Sequence, residues 1–415
     1  MNNIKLFGMS AEKGRWFMIP LGATVLLCLG TVYSWSIFRK PLEKLLNIGA
    51  TESLLPFTVL LVLFALLMPI TGFYINRFGA NIVTAVGGVV MGIGYVLSGF
   101  GDNIYQLTIT YGVIAGVGVG IAYGVPLAVA AKWFPDKKGI AIGLTVIGFG
   151  LSPFITAPLA KSLIETYGVK QTFVILGIAF TAIILAISTV LKTPPDGWKP
   201  AGWNPPVSVE TNASSTSELP ITQTPAFYGL WLCYTIGSFS GLAAIGIASP
   251  LGQEIVKLDP TTAANTVSLF AVFNGLGRLF FGWFTDRFTP KFGAIFAFVL
   301  VIIASILMLK VGEGDAITYL VAFSLFYFSF GGWLAIAPTT TLILFPPADY
   351  AKNYGIVFTA YGAGALGGTL LAGRIRDIFG SYTLFFYPTM ALAILGIVLA
   401  VFMLKRSFSS AVVAE

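Results

Sequence analysis

Twelve apolar runs, each long enough to cross a bilayer as a helix, alternate along the chain with short polar segments. In the first half they cover about 16–38, 54–75, 81–100, 104–131, 139–160 and 172–191. In the second they cover about 226–250, 263–284, 292–310, 317–345, 353–373 and 383–404. The interval 192–225 breaks the rhythm. It is rich in Pro, Ser and Thr and reads as a linker with little regular structure. Its Asn212-Ala213-Ser214 matches a glycosylation sequon, discounted because it falls on the side assigned below to the cytoplasm. The expected architecture is all-α: a six-helix bundle over 1–191, a cytoplasmic linker over 192–225 and a second six-helix bundle over 226–415.

The two halves repeat. Gly72-x-x-x-Asn76-Arg77-x-Gly79 returns as Gly282-x-x-x-Asp286-Arg287, an offset of 210. Trp133-Phe134-Pro135 returns as Leu344-Phe345-Pro346 at 211, and Tyr167-Gly168 as Phe379-Gly380 at 212. Three near-equal offsets in order describe two parallel repeats, an arrangement that places substrate near the bilayer midplane between them.

Composition agrees: 56% of the 415 residues are hydrophobic and 10% charged, with a mean hydropathy of +0.88, which fits a polytopic membrane protein. Lys and Arg number about 14 on the side of the N-terminus and even loops against 9 on the other, which places both termini in the cytoplasm. The basic excess is therefore a topology signal and not one for nucleic acid. The first apolar run has the length of a full span and lacks a clear small-residue cleavage site, so it reads as a span and not as a cleaved signal. Cys28 and Cys233 lie in separate runs and read as packing residues; the absence of histidine excludes a histidine metal site or relay. Nothing in the pattern calls for a cofactor.

One residue stands against the apolar pattern. Arg278 lies in the run 263–284 with no acid inside that run, although a central Arg costs about 2.5–3.5 kcal/mol on insertion scales. Its planar fork can hold a carboxylate by two parallel bonds. A single buried cation suits a single negative charge, because a dianion would leave one charge unpaired at low dielectric. Asn274, one turn earlier, shares its helix face. Tyr33, Tyr123 and Tyr361 could supply hydroxyls, and each could equally be a packing aromatic. Leu144, Phe330 and Phe358 could wall a methyl group, with plain core packing as the simpler alternative. Gly112, Gly116 and Gly120 repeat every four residues, the pattern of close helix packing; without a flanking strand or phosphate-binding Lys they are not a nucleotide loop.

The duplicated loop around Gly72–Gly79 and Gly282–Arg287 resembles the signature of the major facilitator superfamily. Trp133-Phe134-Pro135-Asp136-Lys137-Lys138-Gly139, with the Gly/Ala-rich entry to the fifth span, resembles the monocarboxylate transporter family, bacterial lactate carriers included. Val32-Tyr33-Ser34-Trp35 and Lys352-Asn353-Tyr354-Gly355 are similar to the oxalate/formate antiporter branch. These resemblances imply a secondary transporter of short monocarboxylates working by alternating access, with proton symport as the expected coupling and carboxylate exchange as the alternative. They place Arg278 where that family carries its substrate Arg, and they imply cavity positions for Tyr33, Tyr123 and Tyr361. Arg77, Asp286 and Arg287 are expected to form cytoplasmic gating contacts. The departures are Asn274, where the mammalian carriers have an acid, Ile37 in place of their first-span Lys, and Tyr361, where the oxalate carrier has a second cation. The expected partners are a small monocarboxylate anion, a proton and the lipid bilayer of the inner membrane, with the chain acting as a monomer and not as an enzyme.

Overall fold

The computed structural model describes residues 5–195, 197–203, 220–346 and 349–404. The sequon at Asn212 and much of the linker lie outside these residues. A short antiparallel hairpin, β1 (Lys5–Leu6) and β2 (Met9–Ser10), precedes the helices. The first four spans are α1 (Ala11–Leu46), α2 (Ala50–Phe78), α3 (Ala80–Ser98) and α4 (Ile104–Trp133). Lys138–Ser188 is continuous over 51 residues, far more than a bilayer needs, but its backbone breaks at Gly168 with φ 79° and ψ 164°. It is therefore two spans, α5 (138–167) and α6 (169–188). The second half contains α7 (Pro225–Glu254), α8 (Pro260–Arg287), α9 (Pro290–Met308), α10 (Ala316–Leu344), α11 (Tyr350–Phe379) and α12 (Thr383–Met403). The twelve-helix expectation holds.

Local chemistry sets the boundaries. Three helices of the second half open on a cap followed by proline: Thr224-Pro225, Asp259-Pro260 and Thr289-Pro290. The cap oxygen accepts from the first-turn amides, and proline occupies a position whose N–H has no partner in any case. Gly79 (φ 84°) turns the chain between α2 and α3, and Gly380 (φ 71°) ends α11, conformations that a side chain would strain. The repeat glycines Gly168 and Gly380 thus share a positive φ as well as a sequence offset. The four-spaced glycines of α4 serve close approach. A Cβ at Gly112, Gly116 or Gly120 would fall within 3.1 Å of Val59, Leu60 or Leu67 on α2.

Both cysteines are free and buried, in keeping with their reading as packing residues. The first span is longer than hydropathy suggests. Arg39, expected in a loop, is completely buried on α1, and the helix continues to Leu46 before Asn47 ends it in the left-handed region.

Helices of the two halves meet along three seams: α1 with α7, α2 with α11, and α5 with α8. At the end that carries the hairpin, the N-terminal segment is pinned to the loop after α4. Arg15 donates to both carboxylate oxygens of Asp136 (2.6 and 2.9 Å) and to the Trp133 carbonyl (3.0 Å), and lies over the Phe134 ring. The Arg15 hydrogen bonds hold the Asp136 carboxyl below its ordinary value. A depressed carboxyl pKa contributes stability that is full above the ordinary value of about 3.9 and disappears as pH falls through the folded value. Asp136→Asn is therefore expected to cost ~1.5 kcal/mol across neutral pH, because one side of the pair faces water. Thermal unfolding in detergent at pH 7 checks it; an unchanged midpoint would show that the pair contributes nothing.

Candidate functional site

The site is centred on α8. Its residues 274 and 278 stand one turn apart on the face that meets α5. Arg278 is 6% exposed and Asn274 1%. Asn274 Oδ1 accepts from both Nε and Nη2 of Arg278 (3.3 Å each), and its amide donates to the Tyr327 carbonyl on α10 (3.4 Å). Nη1 of Arg278 donates to the Val146 carbonyl on α5 (3.1 Å). A guanidinium has five N–H groups. Three are taken by Asn274 and Val146, and the Tyr123 hydroxyl also stands against the guanidinium. The planar fork of terminal nitrogens is the group that a carboxylate accepts from bidentately.

An aromatic box adjoins the guanidinium. Tyr33 on α1 and Tyr361 on α11 join hydroxyl to hydroxyl at 2.9 Å, across the two halves. Phe149 on α5 sits edge-on to both Tyr33 (5.0 Å) and Tyr123 on α4 (5.1 Å). Phe64 on α2 meets Tyr123, Phe358 and Tyr361 at 4.8, 5.4 and 5.6 Å. Phe330 on α10 faces Tyr33, and Phe358 stacks on Tyr361. Edge-to-face contacts of this kind fix ring positions as well as burying area. The next residue after Phe149 connects the box to the cation. Gly150 packs so close that a Cβ there would lie 2.7 Å from Asn274 Oδ1 and 3.0 Å from Arg278 Nε.

Of the residues expected from sequence, Arg278, Asn274, Tyr33, Tyr123, Phe330, Phe358 and Tyr361 come together. Leu144 does not. It is 44% exposed, on the outward stripe of α5 with Ile140 and Phe154, and stands five residues, about 140° of helix rotation, from Phe149. Phe64, Phe149 and Gly150 are additions. The two phenylalanines lie inside apolar runs with nothing to single them out, and Gly150 is one of many glycines.

Arg77, Asp286 and Arg287 are exposed at the hairpin end and form no ion pair among the described residues. Charges that tie the halves together lie at the opposite, far end. There Arg39 donates to the Gly246 carbonyl on α7 (3.1 Å), to Tyr382 Oη (2.9 Å) and to Glu43 (3.0 Å). Lys40 pairs with Glu254 of α7, which also accepts from Arg376 of α11 (3.1 Å). Asp377 accepts the first amides of α2 from Ala50 and Thr51 (2.8 Å each). The far end is laced shut.

The family model described as Major Facilitator Superfamily matches residues 21–343 and 230–414. The chain belongs to the major facilitator superfamily. Members of this superfamily are transporters and not enzymes, and the helices make this a multi-pass membrane protein. It is 30% identical over 400 residues to the oxalate:formate antiporter of Oxalobacter formigenes, covering 94% of this chain and 92% of that one. It is 23% identical over 405 residues to monocarboxylate transporter 2 of Meriones unguiculatus, covering 92% and 83%. Among solved structures, a D-xylose-proton symporter superposes with a TM-score of 0.71 at 16% identity, over 94% of this chain and 98% of that one. A bacterial Spinster homologue in an inward-facing, unoccupied conformation gives 0.71 at 15% identity, over 94% and 96%. These structural likenesses concern the fold.

Proposed function

We propose that this superfamily member carries short monocarboxylates of the lactate type, by alternating access and in symport with a proton. The observation that supports this most is the buried guanidinium of Arg278, braced by Asn274 and the Val146 carbonyl, beside a box otherwise lined by rings and phenol hydroxyls. One fixed cation neutralises one carboxylate, and the rings accept a small apolar substituent. A second carboxylate would meet only hydroxyls, because Tyr361 stands where the resemblance to the oxalate carriers places their second cation. No acid pairs with Arg278 among the described residues, so the proton accompanies the substrate or water at the site. In this reading the halves 1–191 and 226–415 rock against each other and the linker 192–225 lies with both termini in the cytoplasm. The far end is periplasmic, Arg77, Asp286 and Arg287 meet only when the cytoplasmic end closes, and a monomer in the inner membrane is the working unit.

The relationship to an oxalate:formate antiporter supports a second reading, exchange of one carboxylate for another. Electrostatics favours symport for net uptake, since an unaccompanied anion entering against an inside-negative potential costs about 2.3 kcal/mol per 100 mV. Proteoliposomes distinguish the two. An outside-acid gradient should drive lactate above its external concentration, a protonophore should abolish that accumulation, and oxalate should compete weakly. Acceleration by preloaded anion with no response to the pH gradient would establish exchange instead.

A further inference from the structure

At the far end, beside the lock, a cavity of about 340 Å³ opens between α1, α5, α7 and the start of α8. Three ammonium groups line it: Lys40 and Lys44 from α1 and Lys161 from α5, with Ser249 and Gln253 of α7 opposite them. The side chains of Lys161 and Lys40 are only 14% and 27% exposed, so they are set into the wall. Lys161 is bonded to Glu165 one turn on, and Lys40 to Glu43 and Glu254. Lys44 has no acid within ion-pair distance among the described residues. The lining contains no carboxylate of its own, so the cavity presents the positive charge of Lys44, the two ion-paired ammoniums, the hydrogen-bonded Gln253–Ser249 pair and the apolar sides of Ile37, Pro41 and Ile164. That chemistry suits a small organic anion better than a cation or a neutral sugar.

Lys40 has two roles in this geometry. Its ammonium forms part of the cavity wall, and it also ties α1 to α7 through Glu254. We propose that the cavity is a second, outer binding site for a small carboxylate, and that its occupant draws Lys40 away from Glu254 and so loosens the closed end. The ligand class is taken from the transport reading above and the inference rests on it to that extent. The site itself is distinct from Arg278, which is not among the residues that line it. Charge competition gives the direction of coupling: an anion held by Lys44 and Lys161 offers Lys40 a third carboxylate beside Glu43 and Glu254, and when Lys40 leaves, Glu254 retains only Arg376. The outer site would fill while the central site is still closed to that side.

The test is protection of lysine from an amine-reactive reagent, read by mass spectrometry on full-length protein in neutral phosphatidylcholine nanodiscs, so that no lipid anion competes. Lactate should protect Lys40 and Lys44 with the same half-protecting concentration in the native protein and in Arg278→Lys. Lys161→Gln should raise that concentration roughly tenfold, and Glu254→Gln, which removes the competing carboxylate, should lower it about threefold. Protection that disappears in Arg278→Lys would mean that the labelling reports the central site, and the inference fails; so would no protection at all. A protein that shows lactate protection yet transports no lactate would uphold the outer site and overturn the transport reading.

Discussion

Arg278→Lys is expected to abolish uptake while the protein remains monodisperse and folded. Lysine keeps the charge, and its ammonium can still reach Asn274 Oδ1 or the Val146 carbonyl, the partners that hold the arginine in place. What it lacks is the planar fork of two terminal nitrogens that can hold both oxygens of a carboxylate. Two charge-assisted hydrogen bonds at about 1.5–3 kcal/mol each represent roughly a hundredfold or more in affinity. Arg278→Ala loses the charge as well and should be at least as inactive. Lactate uptake into proteoliposomes, paired with size-exclusion profiles, decides it. Uptake by Arg278→Lys at the native rate would remove the fork from the mechanism, and uptake by Arg278→Ala would remove the site.

Much of the fold could be read from hydropathy and the internal repeat because both depend on local sequence. The length of α1 could not, for a physical reason. Arg39-Lys40-Pro41-Leu42-Glu43-Lys44 looks like a polar loop to any scale that treats a charge as solvated. In the fold those charges are satisfied by Gly246, Glu254 and Tyr382, more than 200 positions away, so the helix keeps them and runs on. The same remoteness hid the far-end lock. A sequence shows that Lys40 and Glu254 exist but not that they face each other across two repeats.

The site divides along a similar line. Arg278 stood out because a charge in an apolar run must be accounted for, and Asn274 followed from helical spacing. The tyrosines were candidates through resemblance, and the hydroxyl contact between Tyr33 and Tyr361 is what joins them. Phe64 and Phe149 had no such signal: an aromatic in an apolar run is the ordinary case. Leu144 turns away from the site, neither wall nor core, because the rotation of a span about its axis is set by packing against its neighbours.

Gly150→Ala should separate function from stability more cleanly than any change to a polar residue. The added Cβ would lie 2.7 Å from Asn274 Oδ1 and 3.0 and 3.2 Å from Nε and Cζ of Arg278. Such contacts are too close, but the atoms involved are the ends of side chains, which can give way. The helix backbone is undisturbed, and alanine is itself a better helix residue than glycine by roughly 0.5–1 kcal/mol. The thermal midpoint should therefore stay level or rise. Transport should not survive as well: the guanidinium and its Asn274 brace must shift together, and a displacement near 1 Å can cost about a hundredfold in a positioned site. We expect lactate uptake to fall at least about tenfold, with weakened binding. Gly148→Ala supplies the contrast two residues away. There the Cβ would strike the Ala23 carbonyl oxygen of α1 at 2.1 Å, and backbone cannot swing aside, so stability should fall first. If Gly150→Ala transports lactate like the native protein, then the close packing of α5 on Arg278 does not position the cation, and Gly150 has no part in the site.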